Sequence, residues 1–161
     1  MLETLKTCAE KEVRATLRDR SEPGLQAGRA LAREMGVANV TYETGDAFDE
    51  ASLARITPRP NIAIVSGLYE LFADNAPIRA SLAGLASAIA PGGYLIYTNQ
   101  PWHPQVEMIA RCLINRDGKP WIMRRRTQAE MDALVRAAGF EKITMEIDRW
   151  GIFTVSLARR V

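Results

Sequence analysis

The order in which helical and strand patterns follow one another is the feature of this sequence that most constrains its fold. Over residues 2–99, segments with apolar residues at helical spacing alternate with short strand-like segments. Such alternation predicts a parallel sheet with right-handed crossovers. Two strand patterns, 142–148 and 153–159, then follow around a short RWGI connection, which predicts an antiparallel hairpin. We therefore predict an α/β fold with a Rossmann-like mixed sheet that ends in an antiparallel hairpin.

Capping residues set several of the predicted boundaries. Ser21 is a predicted N-cap and Gly36 a predicted stop for one helix, while Thr127 and Glu130 form a T-x-x-E capping box for another. The apolar run 61–68 predicts a strand covered by helices on both faces. The remaining predicted helices are 2–12, 49–56, 77–89 and 104–114, and the remaining predicted strands are 13–19, 38–43 and 94–99.

Length and charge exclude several classes of protein. The 161 residues fit one domain, residues 1–161, and contain no run long enough to span a membrane. A net charge of +2 gives no reason to expect nucleic acid as a partner. The N-terminus is too charged for a signal peptide, and Cys8 and Cys112 match no disulfide or metal pattern. We expect a cytoplasmic protein with two buried thiols.

Four stretches together resemble the class I S-adenosylmethionine-dependent methyltransferases. They are LRDRS at 17–21, GDAF at 45–48, IVSGLYELF at 64–72 and LASAIAPGGYLIY at 85–97. With TNQPWHPQ at 98–105 and RRRTQAEMDALV at 124–135, they resemble a group of bacterial methyltransferase domains, some fused behind an α/β-hydrolase domain. The resemblance implies S-adenosylmethionine as cofactor and an unidentified small molecule as methyl acceptor.

The resemblance also implies a cofactor site at the carboxyl ends of the strands, where ligands of open α/β sheets bind. Asp19 would hold the ribose hydroxyls, and Ser66 and Gly67 the methionine end. Asp46, the Ala47 backbone amide and Phe48 would contact the adenine. The residues alone favour another interpretation for the last group, in which Asp46 caps the next helix and Phe48 is core.

Candidates for the acceptor side follow the next two strand ends. Tyr69 and Glu70 come after one strand, and the alternative for them is a first helical turn with a solvated carboxylate. Asn99, Trp102 and His103 come after the next. We assign Glu70, Asn99 and Trp102 to acceptor binding, and Tyr69 and His103 to catalysis. His103 is the chain's single histidine, and histidine is the residue type most often used as a general base, although a structural role is the commoner one at a helix entry.

Three adjacent arginines, Arg124 to Arg126, precede the capping box. They could meet an anionic acceptor or phosphate. A solvated approach to the helix is the alternative.

The family's glycine-rich loop has no counterpart here, so the first, central strand of the expected sheet is missing from this sequence. Removing one strand leaves a gap of roughly 10 Å between its neighbours. The two halves could pair directly, a second copy could complete the sheet in a homodimer, or an absent N-terminal segment could do so. Cofactor binding would then be weak or lost. A non-catalytic remnant with an assembly or regulatory role is the alternative to a methyltransferase. A nicotinamide-dependent reductase is discounted, because the sequence lacks the motifs of that class.

Overall fold

A computed structural model of the chain describes residues 1–8, 12–115 and 117–161. The helices are α1 (Leu2–Thr7), α2 (Glu22–Met35), α3 (Glu50–Ala54), α4 (Ala76–Ala88), α5 (Val106–Cys112) and α6 (Gln128–Ala137), with a single 3₁₀ turn at Tyr69–Leu71. The strands are β1 (Ala15–Asp19), β2 (Val40–Thr44), β3 (Ile62–Val65), β4 (Tyr94–Asn99), β5 (Phe140–Ile147) and β6 (Thr154–Arg160). No helix among the described residues combines the length and the apolar character needed to cross a bilayer.

The first of two compact units, Met1–Asp49, contains a two-stranded parallel sheet. Strand β1 pairs with β2 from Ala15 opposite Val40 to Asp19 opposite Thr44. Helix α2 connects them and packs on β2 where Gly28 meets the Tyr42 ring. A Cβ on residue 28 would lie 2.6 Å from that ring, so only glycine allows the Tyr42 hydroxyl to donate to the Gly28 carbonyl oxygen at 2.9 Å.

Helix α2 has the predicted caps. The Ser21 hydroxyl accepts a hydrogen bond from the Gly24 backbone N–H at 3.3 Å, and Gly36 ends the helix in the left-handed conformation with φ of 69°. In the same way, the Thr127 hydroxyl accepts from the Glu130 backbone N–H at 3.1 Å and begins α6. These local signals are sufficient because each one satisfies backbone groups that the helix itself leaves unpaired.

The second unit, Glu50–Val161, contains a four-stranded mixed sheet in the order β3-β4-β6-β5. Strands β3 and β4 are parallel, and β6 runs antiparallel to both β4 and β5. The predicted mixed sheet with a C-terminal antiparallel hairpin is therefore confirmed. The described strands form two sheets, one in each unit.

The core of the second unit covers one face of this sheet. Leu95 and Tyr97 of β4 and Ala158 of β6 are completely buried there. The residues that contribute most to this core from the helices are Ile78, Leu82, Met131 and Val135. Helix α6 packs on β5 and helix α4 packs on α6, so both helices contribute side chains to the core on the buried face of the sheet.

The opposite face of the sheet leaves apolar side chains exposed, which corrects one prediction. Ile62 and Ile64 of β3 are 54% and 46% exposed, although this strand was expected to be covered on both faces. Tyr94 lies opposite Ile62 in the register and is also exposed. The apolar run predicts a strand covered on both faces, but β3 is the edge strand of its sheet and one of its faces is exposed.

Other differences concern boundaries and burial. Helix α1 ends at Thr7, and the rest of the predicted helix 2–12 includes residues 9–11, which lie outside the described part. Cys8 is half-buried and Cys112 exposed, so the expectation of two buried thiols is wrong. The assignment of residues 1–161 to a single domain stays a prediction.

Candidate functional site

Two carboxylates lie at one end of the first unit's sheet. Asp19 is the last residue of β1, and Asp46 follows the end of β2 by two residues. Because the strands are parallel, both residues reach the same carboxyl edge. The Gly45 backbone N–H donates to the Asp19 carbonyl oxygen at 3.0 Å, which joins the two strand ends. Asp19 and Asp46 therefore share one edge of this sheet, and their roles at a nucleoside stay predictions.

The two carboxylates have different surroundings. Asp19 is exposed, and its Oδ1 accepts from the Ser21 backbone N–H at 2.8 Å. Its Oδ2 has no hydrogen-bond partner among residues 1–8, 12–115 and 117–161. Asp46 is half-buried, with Oδ1 accepting from the Phe48 N–H at 2.9 Å and Oδ2 lying 3.7 Å from Arg20. Asp19 thus keeps one oxygen ready to accept a hydrogen bond.

Ala47 and Phe48 complete the turn that Asp46 stabilises, and both are half-buried. The hydrogen bond from the Phe48 N–H closes a turn that precedes α3, which begins at Glu50, so it is not the helix cap considered for Asp46. Phe48 is also not fully buried, so it is not a core residue of the kind expected in that alternative. A groove of about 370 Å³ in this unit lies elsewhere, at residues 12–14 and 36–39 that precede the strands.

Ser66 and Gly67 lie at the corresponding edge of the second unit. Both are exposed and directly follow β3. Gly67 has φ of +67°, and its backbone N–H donates to the Thr98 hydroxyl of β4 at 2.8 Å. This bond fixes the direction in which the chain leaves β3. The left-handed conformation at residue 67 explains the need for glycine there.

The loop that follows is held by a buried arginine. Arg126 is only 1% exposed, and its Nη1 donates to the Tyr69 carbonyl oxygen at 2.8 Å. Its Nη2 donates to the carbonyl oxygens of Phe72 and Asp74 at 2.9 and 3.0 Å, and its Nε to Asn75 Oδ1 at 2.6 Å. One side chain thereby satisfies the carbonyls of a six-residue segment. The solvated approach considered for all three arginines is wrong for this one.

Glu70 lies inside this segment and is 3% exposed. Neither of its carboxylate oxygens has a hydrogen-bond partner in the described part of the chain. Burial raises the pKa of the Glu70 carboxyl, an effect offset in part by the charge of Arg126. The solvated carboxylate of the alternative interpretation is therefore wrong, because the group is buried. A buried carboxyl without a partner is rare and costly.

Tyr69 and Asn99 lie in the interior of the second unit. Tyr69 is 2% exposed, its hydroxyl lies 2.8 Å from the Ser81 hydroxyl of α4, and burial raises the pKa of its phenol. Asn99 is also buried, and its Nδ2 donates to the Arg126 carbonyl oxygen at 3.1 Å. Both polar groups are engaged within the protein. The roles of Tyr69 in catalysis and Asn99 in acceptor binding stay predictions.

Trp102 and His103 line an open groove of about 430 Å³ in the second unit, together with Glu107 and Arg125. Trp102 is 51% exposed. His103 is half-buried, and its Nδ1 accepts from the Gln105 backbone N–H at 3.1 Å. This bond corresponds to the tautomer in which Nε2 carries the proton in the neutral ring. The structure thus brings two of the predicted acceptor-side residues into one concave surface.

Sequence reasoning did not single out Asn75 or the position of Arg126. Asn75 accepts from Arg126 and donates from Nδ2 to Glu130 Oε1 at 2.9 Å, so it links the loop to α6. Arg124 also reaches Glu130, at 2.6 Å. The run of three arginines was visible in the sequence. The burial of Arg126 was not predictable from it, because its partners are backbone carbonyls, which every residue type has.

Residues 1–160 match the protein family described as "Putative methyltransferase". The chain belongs to that family. The resemblance to methyltransferases found in the sequence is therefore confirmed for the family. The chain is also 59% identical over 146 residues to the uncharacterized protein YnbC of Escherichia coli K12. This match covers 89% of the chain and 25% of YnbC, so the chain spans about a quarter of the length of that relative.

Solved structures confirm the methyltransferase fold. Magnesium protoporphyrin IX methyltransferase from Synechocystis PCC 6803, solved with bound SAH, superposes with a TM-score of 0.71 at 17% identity, over 96% of this chain and 67% of that one. An O-methyltransferase from neocarzinostatin biosynthesis, in complex with S-adenosyl-L-homocysteine and 1,4-dihydroxy-2-naphthoic acid, gives 0.74 at 18% identity, over 99% and 45%. At these identities the likeness establishes the fold alone.

Proposed function

We propose that the chain binds S-adenosylmethionine and transfers its methyl group to a small-molecule acceptor. The observation that carries this proposal is the position of Asp19 and Asp46 at one carboxyl edge of a parallel sheet, in a chain of a methyltransferase family. Solved methyltransferases of this fold hold S-adenosylhomocysteine, the demethylated product of that cofactor. This supports the choice of cofactor.

The residues of the first unit fit the nucleoside part of this cofactor. Asp19 is exposed, and its Oδ2 can accept a hydrogen bond from a ribose hydroxyl. Asp46, the Ala47 backbone and the Phe48 ring lie next to each other in one turn and would contact the adenine. Asp46 already accepts from Phe48, so its Oδ2 is the oxygen left to accept from the adenine amino group.

The residues of the second unit would act on the methionine end and the acceptor. Ser66 and Gly67 are exposed at the end of β3 and would contact the methionine part. The cofactor supplies the electrophilic methyl group, so the protein's task is to bind and align the acceptor. Trp102 would contact the acceptor. The His103 Nε2–H would donate a hydrogen bond to the acceptor and orient it for methyl transfer.

Calorimetric titration of the full chain with S-adenosylhomocysteine tests this function. We expect weak binding, with a dissociation constant between the micromolar and millimolar ranges, on the order of −8 to −4 kcal/mol. Replacing Asp19→Asn should weaken binding about tenfold or more, equivalent to ~1.4 kcal/mol, because it removes a charge-assisted hydrogen bond. Asp46→Asn should act in the same direction, while its amide oxygen can still accept from the Phe48 N–H.

The matched control is Glu34→Gln, which removes an exposed carboxylate from α2. It should leave the affinity unchanged. No binding of S-adenosylhomocysteine by the folded chain at millimolar concentration would contradict the proposal and support the non-catalytic alternative. Equal losses in the control and in Asp19→Asn would show that the carboxyl edge is not the nucleoside site.

The exposed face of the four-stranded sheet supports a further part of the proposal, a homodimer. Ile62, Ile64 and Tyr94 lie on one face, and Val155 of β6 joins them through the register of β4 and β6. Their exposed fractions run from 36% to 54%. An apolar surface of this kind is typical of a protein interface. A second copy covering this face would also shield the unpaired edge of β3.

A further inference from the structure

The groove lined by Trp102, His103, Glu107 and Arg125 carries an inference about the ligand. It lies wholly within the second unit, at residues that follow β4 and precede α6. Its volume of about 430 Å³ is in the range of small-molecule sites. Its positive charge comes from Arg125, the middle one of the three arginines at positions 124–126.

Two of the three arginines are engaged within the protein. Arg124 pairs with Glu130 at 2.6 Å, and its backbone N–H donates to the Glu70 carbonyl oxygen at 3.2 Å. Arg126 is buried and donates to the carbonyls of the 69–74 segment. Both neighbours of Arg125 therefore anchor its backbone to the same loop, and its side chain projects from a fixed position.

Arg125 itself is exposed and has neither an ion pair nor a hydrogen bond within the described residues. The groove contains one acidic side chain, Glu107, but this carboxylate pairs with Arg111 at 2.7 Å. The positive charge of Arg125 is thus left without a counterion in the groove. A guanidinium in this situation favours a carboxylate or another planar oxyanion, which it can bind through two parallel hydrogen bonds.

The other walls favour a flat ligand. Trp102 presents its indole with half of its surface exposed, and Val106 and Ala110 add apolar area. An aromatic ring next to a free guanidinium suits a ligand that is planar and anionic at once. We propose that this groove binds a planar organic carboxylate, with Arg125 holding the carboxylate and Trp102 covering the ring.

This inference rests on the proposed function in one respect: it identifies the bound carboxylate with the methyl acceptor. The acceptor class is then an aromatic or conjugated acid. His103 lies in the same groove, with Nε2 free of the bond that Nδ1 accepts. It would lie beside the ligand, where its Nε2–H can donate a hydrogen bond to an oxygen of the bound carboxylate.

The test is a titration of the full chain with sodium benzoate, followed by the indole N–H signals of the tryptophans in nitrogen–proton correlation spectra. The Trp102 signal is assigned by its loss in Trp102→Phe. We expect benzoate to shift this signal. Uncharged benzamide should bind at least about fivefold more weakly than benzoate, since it lacks the carboxylate charge. Inorganic phosphate alone should leave the Trp102 signal in place.

Arg125→Gln should weaken benzoate binding by about fivefold, and Arg125→Lys by less, because lysine keeps the charge but not the planar fork. The matched control is Arg149→Gln, since Arg149 also lies over an exposed tryptophan, 4.5 Å from the Trp150 ring, outside the groove. It should have no effect. Equal binding of benzamide, an equal shift with phosphate or an equal loss in Arg149→Gln would each overturn the proposal.

A parallel titration with S-adenosylhomocysteine separates this inference from the proposed function. Binding of S-adenosylhomocysteine without any benzoate shift would overturn the groove assignment alone. Benzoate binding that depends on Arg125, in a chain that does not bind S-adenosylhomocysteine, would support the groove and overturn its identification with a methyl acceptor.

Discussion

Arg126 donates from Nη1 to the carbonyl oxygen of Tyr69 at 2.8 Å, across 57 positions of the sequence. The same guanidinium reaches the Phe72 and Asp74 carbonyls, so it acts as the structural centre of the loop that follows β3. The loop contains Glu70, whose buried carboxylate has no partner in the described part of the chain. Arg126, which is 1% exposed, therefore fixes the loop that carries the buried Glu70 carboxyl.

Arg126→Leu should strongly destabilise the second unit. The substitution leaves several buried carbonyl groups without donors, and we expect the free energy of unfolding to fall by about 3 kcal/mol or more. Urea denaturation followed by circular dichroism measures this. The matched control is Arg149→Leu, which removes an exposed arginine and should change the free energy by less than about 0.5 kcal/mol. Equal effects of the two variants would contradict the role of Arg126.

Glu70→Gln should change how stability depends on pH. Burial raises the pKa of the Glu70 carboxyl above its ordinary 4.5, so the folded protein binds this proton more tightly than the unfolded chain does. The resulting stability is fully present below pH 4.5 and is lost as the pH rises through the raised pKa. Glutamine cannot ionise, so this loss should disappear in the variant.

The measurement for Glu70 is the free energy of unfolding at several values between about pH 4.5 and pH 8. Glu141→Gln, at an exposed position of β5, is the control and should follow the unsubstituted chain. If Glu70→Gln loses stability in parallel with the unsubstituted chain across this range, the carboxyl is not the cause.

Much of the fold could be predicted because its signals are local. Strand β4 has the bounds that its apolar pattern predicts, and the caps at Ser21 and Thr127 begin their helices as expected. The shared edge of Asp19 and Asp46 followed from parallel pairing alone. The burial of Glu70 and Arg126 could not be predicted, because it depends on packing between distant segments and on bonds to backbone carbonyls. The edge position of β3 was missed for the same reason, since an apolar run does not show which neighbours it has.

Asp132→Asn should reduce the loss of stability in acid. The Asp132 carboxylate accepts from Gln128 at 2.8 Å and from the Tyr97 hydroxyl at 3.1 Å, and it pairs with Lys142. Burial alone would raise the pKa of Asp132, but the bonds from Lys142, Gln128 and Tyr97 outweigh it and hold the pKa below the usual range.

Because this pKa is lowered, the stability from Asp132 is present above its ordinary value of 3.8 and is lost as the pH falls through the lowered pKa. Asp132→Asn should therefore be less stable than the unsubstituted chain near neutral pH, and the difference should shrink in acid. Urea denaturation at neutral and acidic pH measures this, with Glu146→Gln on β5 as the control. A difference that stays constant down to about pH 2 would contradict the linkage.

Ile64→Lys tests the proposed homodimer. Ile64 is 46% exposed on the apolar face of the four-stranded sheet, so a lysine there adds a charge without disturbing the core. Sedimentation velocity should find a dimer for the unsubstituted chain and a monomer for the variant, because burying an unpaired ammonium at an interface is costly. Ile114→Lys is the matched control, since Ile114 is 71% exposed and lies outside the sheet, and it should leave the dimer intact. A monomeric unsubstituted chain would show that no second copy covers this face, and a dimer that persists in Ile64→Lys would place the interface elsewhere.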